Sequence, residues 1–422
     1  MKRSFIAGML LLLMGAGAGA AELPQYAPEN HLGVATCASG VCHGSVRPRT
    51  TTPVLQNEYV VWSRLDRHRN AYNVLLNEES RQIARKLGLK NAHEASICLD
   101  CHADNVPVEK RGARFQLSDG IGCEGCHGGA EKYLTSHTDP NQTHADNVAN
   151  GLFPADRIEA RAELCFSCHI GNDQKIASHE IMGAGHPRLG FELDTFGVLQ
   201  PAHYVVDDDY RERNKWSAGS ATIWALGQVE AAHQTLRLIE THLNKKQRFP
   251  ELSLFDCHAC HHPMSDVKWQ QQSRVNLPPG AVRLNDAGFV MLFAIAAAVA
   301  PEHENALHNG LKNLHRAVNA NGSADGQISA LRSTINSLKD SAVDAGSRSE
   351  SILQNVVKMG GEGKFRDYVA AEQAVMAVDL LITTTGGRDK HSDWLDQLYT
   401  AVENEDSYNP SRLRRVMRER RF

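Results

Sequence analysis

Residues 120–129 read GIGCEGCHGG: Cys123 and Cys126 are separated by two residues and followed at once by His127. Working outward, the pattern recurs as CLDCH at 98–102, CFSCH at 165–169 and CHACH at 257–261, and in a wider form as CASGVCH at 37–43. All ten cysteines of the 422-residue chain fall in these pairs: Cys37/Cys42, Cys98/Cys101, Cys123/Cys126, Cys165/Cys168 and Cys257/Cys260. A histidine follows every pair directly: His43, His102, His127, His169 and His261. Disulfide frameworks and four-cysteine zinc sites also pair cysteines, but neither needs a histidine after each pair. Covalent haem attachment does need one. Two thiols add to the vinyl groups of one porphyrin, and the adjacent histidine lies beneath the ring and binds the iron. The pattern predicts five covalently attached haems c, the first in a looser loop.

The start of the chain reads as an export signal over residues 1–21. Lys2 and Arg3 precede an apolar run at 5–14 and a small-residue stretch ending at Ala20 and Ala21. A periplasmic location follows as an expectation. Removing the signal takes the formal charge from -4 to about -6, which gives no hint of nucleic-acid binding. A second apolar run, AGFVMLFAIAAAVA at 287–300, is too short to span a bilayer and predicts a buried core helix.

The 21 histidines leave many candidates beyond the motif positions. A histidine on each face of a haem makes the iron a low-spin electron carrier, whereas an open face admits a small molecule. His68 leads the candidates for a second axial ligand. Trp62, Leu65, His68, Tyr72 and Leu75 recur at intervals of three and four, which predicts one helix face. His137 follows the third motif by ten residues, and His179 and His186 lie within IASHEIMGAGHPRLG, where small residues allow close backbone approach. His93, His144, His203, His233 and His262 are weaker candidates. His258, between two motif cysteines, is not expected to ligate.

The motif order, the Trp62/His68 spacing, CLDCH and GIGCEGCHGG together resemble the tetrahaem cytochrome c-554 family over about residues 31–190. The resemblance implies that His68 is the distal ligand of the haem on Cys123/Cys126, and that His137 serves the haem on Cys165/Cys168. It implies that His179 or His186 returns to the first haem, and that the iron under His102 is five-coordinate. The same haem packing recurs in hydroxylamine oxidoreductases and pentahaem nitrite reductases. The sequence departs from the family in its CASGVCH loop, its fifth motif and its long C-terminal region. His93, just before the second motif, is a further candidate to close the iron under His102.

The fold expected is mainly α: a multihaem cytochrome c fold with little sheet over residues 22–270, the haems forming much of its core, and a C-terminal helical bundle over 271–422. Residues 217–246 predict one long helix, Ile328, Leu331, Ile335 and Leu338 mark another, and 368–382 a third. The final PSRLRRVMRERRF reads as a solvated helix end, or as a docking patch for an acidic partner. The leading function is electron transfer between periplasmic or membrane redox proteins. The alternative is a small-molecule oxidoreductase acting on a nitrogen or sulfur oxide at one open haem, but the C-x-x-C-K motif of the pentahaem nitrite reductases is missing. A third reading is a structural subunit whose bundle binds a membrane partner.

Overall fold

A computed structural model describes residues 21–52, 54–212, 218–243, 250–257, 260–261, 277–278, 281–320, 323–420 and 422. The proposed export signal, apart from Ala21, and His258 and His262 lie outside the described residues.

The fold is mainly α. In the helix Ser220–Leu243, Ala221, Ala225, Val229, Ala232 and Leu236 recur at three and four residues and are fully buried. The helix Ala287–Val299 is apolar on every side, and residues 289–296 are buried on every side, so it sits at the centre of the bundle. Around it pack Pro301–Asn319, Asp325–Ala342, Ser349–Glu362, Tyr368–Thr384, Ser392–Ala401 and Pro410–Arg418. Ile328, Leu331, Ile335 and Leu338 form the buried stripe that their spacing predicts. Ser220–Leu243 shares this core and also packs on the helix Ile158–His169, so it joins the two parts of the chain. No helix among the described residues is long and apolar enough to cross a membrane.

The part before residue 212 is built differently. Its helices are short, and its apolar clusters are small and separate: Leu75 with Ala84, Ala92, Leu99 and Ala103, then Leu23 with Phe153 and Ala160. Among the described residues, the isolated bridges are His31 with Arg111 and Phe255 with Leu284.

Polar contacts from residues 29–33 lace this part together. Glu124, between the cysteines of the third motif, is buried and accepts the N–H groups of Leu32, Gly33 and Ala130 at 2.7–2.8 Å. His31 is fully buried, with Nδ1 2.7 Å from Asp104 and Nε2 3.3 Å from the Pro24 carbonyl. Both partners can only accept, so both ring nitrogens carry hydrogen. Burial disfavours that imidazolium, but the bond to Asp104 and its charge outweigh burial and raise the pKa of His31.

Two outcomes follow from this lacing. Glu124→Ala leaves three buried N–H donors unpaired and should cost about 3 kcal/mol in denaturant unfolding of the purified protein. The His31–Asp104 pair should stabilise fully below the unfolded histidine pKa and fade as pH rises through the raised folded value. Unfolding midpoints of His31→Gln should lack that alkaline loss, and an unchanged pH profile would refute the assignment.

Candidate haem-binding site

Each of the five motif histidines faces one other imidazole. His43 faces His137 with ring centroids 6.2 Å apart, and His169 faces His68 at 6.2 Å. His102 faces His186 at 6.3 Å, His127 faces His203 at 6.1 Å, and His261 faces His179 at 6.1 Å. An imidazole nitrogen lies about 2 Å from a bound metal and a ring centroid about 1.1 Å behind it, so two rings on one iron stand about 6.2 Å apart. All five spacings fit an iron between the rings, next to a cysteine pair able to hold its porphyrin.

The outer nitrogens support the same orientation. His102 Nδ1 donates to the Ala71 carbonyl at 3.0 Å, His137 Nδ1 to Tyr133 at 2.9 Å and His186 Nδ1 to Pro187 at 2.8 Å. A carbonyl only accepts, so each Nδ1 carries the hydrogen and Nε2 is left with its lone pair for a metal. His43 and His68 make the corresponding bonds to carboxylates, Glu58 at 2.9 Å and Asp66 at 2.9 Å. Burial, with His203 and His43 nearby, pushes His127 down to about 4 and favours the neutral imidazole that ligates.

Local structure sets these rings. Trp62 Nε1 donates to the Ile121 carbonyl at 3.0 Å, which seats the helix Glu58–Leu65 on the third motif. Gly120 has φ +72°, and a Cβ there would stand 2.7 Å from the His68 carbonyl, so the first glycine of GIGC is required. The single helix face expected from Trp62 to Leu75 is broken. Asp66 adopts an extended conformation and its side chain accepts the His68 N–H, so His68 sits on a 3-10 turn, Arg67–Asn70. Buried Lys175 donates to the Asp100 carbonyl at 2.7 Å and lies 3.1 Å from Cys168 Sγ, tying the second motif to the fourth.

The motif cysteines differ in exposure. Cys37, Cys98, Cys101, Cys123, Cys126, Cys165, Cys168 and Cys257 are half-buried, but Cys42 and Cys260 are exposed. Cys260 lies on a tight turn, where its N–H donates to the Cys257 carbonyl at 3.1 Å and the His261 N–H to the same carbonyl at 2.7 Å. That turn fixes the motif backbone while aiming the second thiol outward. Cys42 stands near the end of the longer CASGVCH loop. Both remain haem-attachment candidates, because a thioether fixes a porphyrin edge and does not require a buried sulfur.

The ring contacts differ from the partners that the family resemblance implies. His68 stands opposite His169, not His127, and His137 opposite His43, not His169. His179 and His186 face the fifth and second motifs and not the first. The position opposite His102, expected to be open, holds His186. His93 packs against Tyr72 instead of closing that iron. His144 bonds Asp156 at 3.2 Å. His233 lies on Ser220–Leu243, where burial and then Lys339, Arg332 and Arg237 push it down to about 4. His203, one of the weaker candidates, proves to be the ring facing His127. It sits in a loop with no periodic pattern, and the one available signal was arithmetic, since five motifs and four leading candidates leave one ring short.

Paired cysteines with a following histidine, met by a second imidazole, define a c-type cytochrome. Residues 36–128, which contain the third motif whole and most of the chain before it, match the family model described as Cytochrome c554 and c-prime. That match supports covalently bound haem c and a role in electron transfer. No curated protein and no solved structure matches the chain.

The Glu58 contact yields a direct test. An ionised acceptor strengthens the His43 bond by about 1 kcal/mol over a neutral one, which corresponds to about 40 mV for one electron. Glu58→Gln should raise the reduction potential of the haem on Cys37 and Cys42 by roughly that amount in an optical redox titration.

Proposed function

We propose that the chain is an exported electron-transfer protein carrying five covalent haems, each iron held between two histidines. The pairs are His43/His137, His102/His186, His127/His203, His169/His68 and His261/His179. The observation that carries this reading is that every motif histidine is met by one other imidazole at 6.1–6.3 Å. An iron with both axial positions filled cycles between ferric and ferrous without binding substrate. What this chain's residues then do is hold each ring in place, exclude exchangeable ligands and tune potential through the Nδ1 bonds.

Contacts between motifs support a linear path. The Cys37 and Cys123 side chains touch, as do those of Cys101 and Cys168, and Cys126 lies within electrostatic reach of Cys165 and Cys168. The helix His179–Ala184 begins with the ring facing the fifth motif and ends one residue before the loop that bears His186, which faces the second. The order supported is first, third, fourth, second, fifth. The first and the fifth stand at the two ends of that order, where electrons would enter and leave. There they would pass to and from other periplasmic or membrane redox proteins.

The test is carbon monoxide added to the reduced holoprotein, with EPR of the oxidised form. The wild type should be low-spin throughout and take up no gas, while His203→Ala should bind about one equivalent per chain. Substantial uptake by the wild type would overturn the closed-iron reading. Ring planes add a finer signature. The His68/His169, His102/His186 and His127/His203 planes cross at 83–88°, and His43/His137 are within 14° of parallel. Crossed rings leave the iron d orbitals nearly level, so three strongly anisotropic low-spin signals should accompany a rhombic one from His43/His137 and an intermediate one from His179/His261, whose planes meet at 35°.

A further inference from the structure

The loop bearing His186 reads GHPRLG over 185–190 and runs from the haem-bearing part onto the C-terminal bundle. Gly185 closes the helix His179–Ala184 at φ +124°, a conformation that side-chain-bearing residues rarely adopt. Three residues on, Arg188 is anchored to the bundle. Its Nη2 donates to Glu372 Oε2 and its Nε to Glu405 Oε2, each at 3.1 Å, and its guanidinium lies 5.3 Å from the centroid of Tyr368. The arginine side chain is only 19% exposed, so water weakens these pairs less than it would on an open surface. Gln373, next to Glu372 on the helix Tyr368–Thr384, donates to the Phe191 carbonyl at 3.1 Å and fixes the far end of the loop.

His68 and His137 owe their orientation to neighbours in sequence, Asp66 and Tyr133. The local bond of His186 reaches only to Pro187, which is itself exposed, so the loop takes its position from tertiary contacts. Resting on the axial pairing proposed above, we infer that the Arg188–Glu372–Glu405 clamp is a positioning device. Through it the haem-free bundle sets His186 opposite His102 and keeps that iron closed. Two carboxylates on one planar guanidinium fix direction as well as distance, which a ring that must meet an iron requires. Release of the clamp frees the loop to swing about Gly185 and leaves one face of the second haem accessible to a small neutral ligand. The bundle thereby governs the coordination state of one iron in the chain.

The test uses the full-length holoprotein with Arg188→Met. Carbon monoxide uptake by the reduced form and high-spin signal in the oxidised form are read together with haem content per chain. His186→Ala, with the clamp intact, sets the amplitude of one open iron. Arg188→Met should raise gas uptake at least tenfold over wild type, toward that amplitude, and the double variant should add nothing further. Should Arg188→Met lose haem, Glu372→Gln with Glu405→Gln is read in the same way. A low-spin, gas-inert clamp variant, when His186→Ala binds one equivalent, would overturn the clamp alone. No uptake by His186→Ala would instead overturn His186 as an axial ligand, and the clamp with it.

Discussion

The meeting of each motif histidine with an imidazole from a distant segment is the constraint on which the rest of the chain depends. The facing pairs link residue 43 to 137, 68 to 169, 102 to 186, 127 to 203 and 179 to 261. Such links cross one another along the sequence, so the segments that bear the rings must be placed together. Short helices, 3-10 turns and a strap of polar contacts through Glu124 and His31 are what that geometry permits.

The bundle obeys the opposite rule. Its core is one continuous apolar cluster, and a buried polar network at its edge receives the fifth motif. Arg283 pairs with Asp367 at 2.7 Å, Asp256 at 3.3 Å and Asp286 at 3.8 Å, and His315 reaches Asp286 at 3.2 Å. Asp256 directly precedes Cys257, and its N–H donates to the Arg283 carbonyl at 2.9 Å. Removing one member of such a buried network strands the remaining charges, so its charges bind the fifth motif to the bundle in one register. The C-terminal arginines serve the same end in part. Arg414 and Arg418 donate to the Gly361 carbonyl at 3.2 and 2.7 Å, near the end of Ser349–Glu362, where cations suit the helix dipole.

Legibility in the sequence followed the range of the interaction. The bundle helices were readable because Ile328, Leu331, Ile335 and Leu338 declare a face by spacing alone, and Ala287–Val299 declares burial by composition. The motifs were readable because thioether attachment and proximal ligation are fixed within seven residues or fewer. The exposure of Cys42 and Cys260 was not, because it depends on what packs over a motif and not on the motif itself. Nor was the pairing of rings, which depends on where segments roughly 75 to 100 residues apart come to lie. The resemblance assigned partners for three motifs and left the second open, and a fifth motif changes the arithmetic: His179 stands opposite His261, and His186 stands opposite the ring expected to be bare. His203 carried no periodic signal, and the break at Asp66 turned on a side chain competing for a backbone N–H, which spacing does not register.

With the irons closed as proposed, the burden of control would shift from ligand exchange to the groups behind the rings. Along the proposed order, the first and fourth haems each have a histidine backed by a carboxylate, Glu58 or Asp66, while both rings of the second are backed by backbone carbonyls, Ala71 and Pro187. A carboxylate makes the imidazole a stronger donor and favours ferric iron, and a carbonyl does so less. The second haem should therefore lie at a higher potential than the first and the fourth. The second haem, at the higher potential of these three, is also the one whose distal ring the proposed clamp ties to the bundle. Coordination and potential converge at a single position, so a contact made on the helical bundle can reach the electron path without touching a porphyrin.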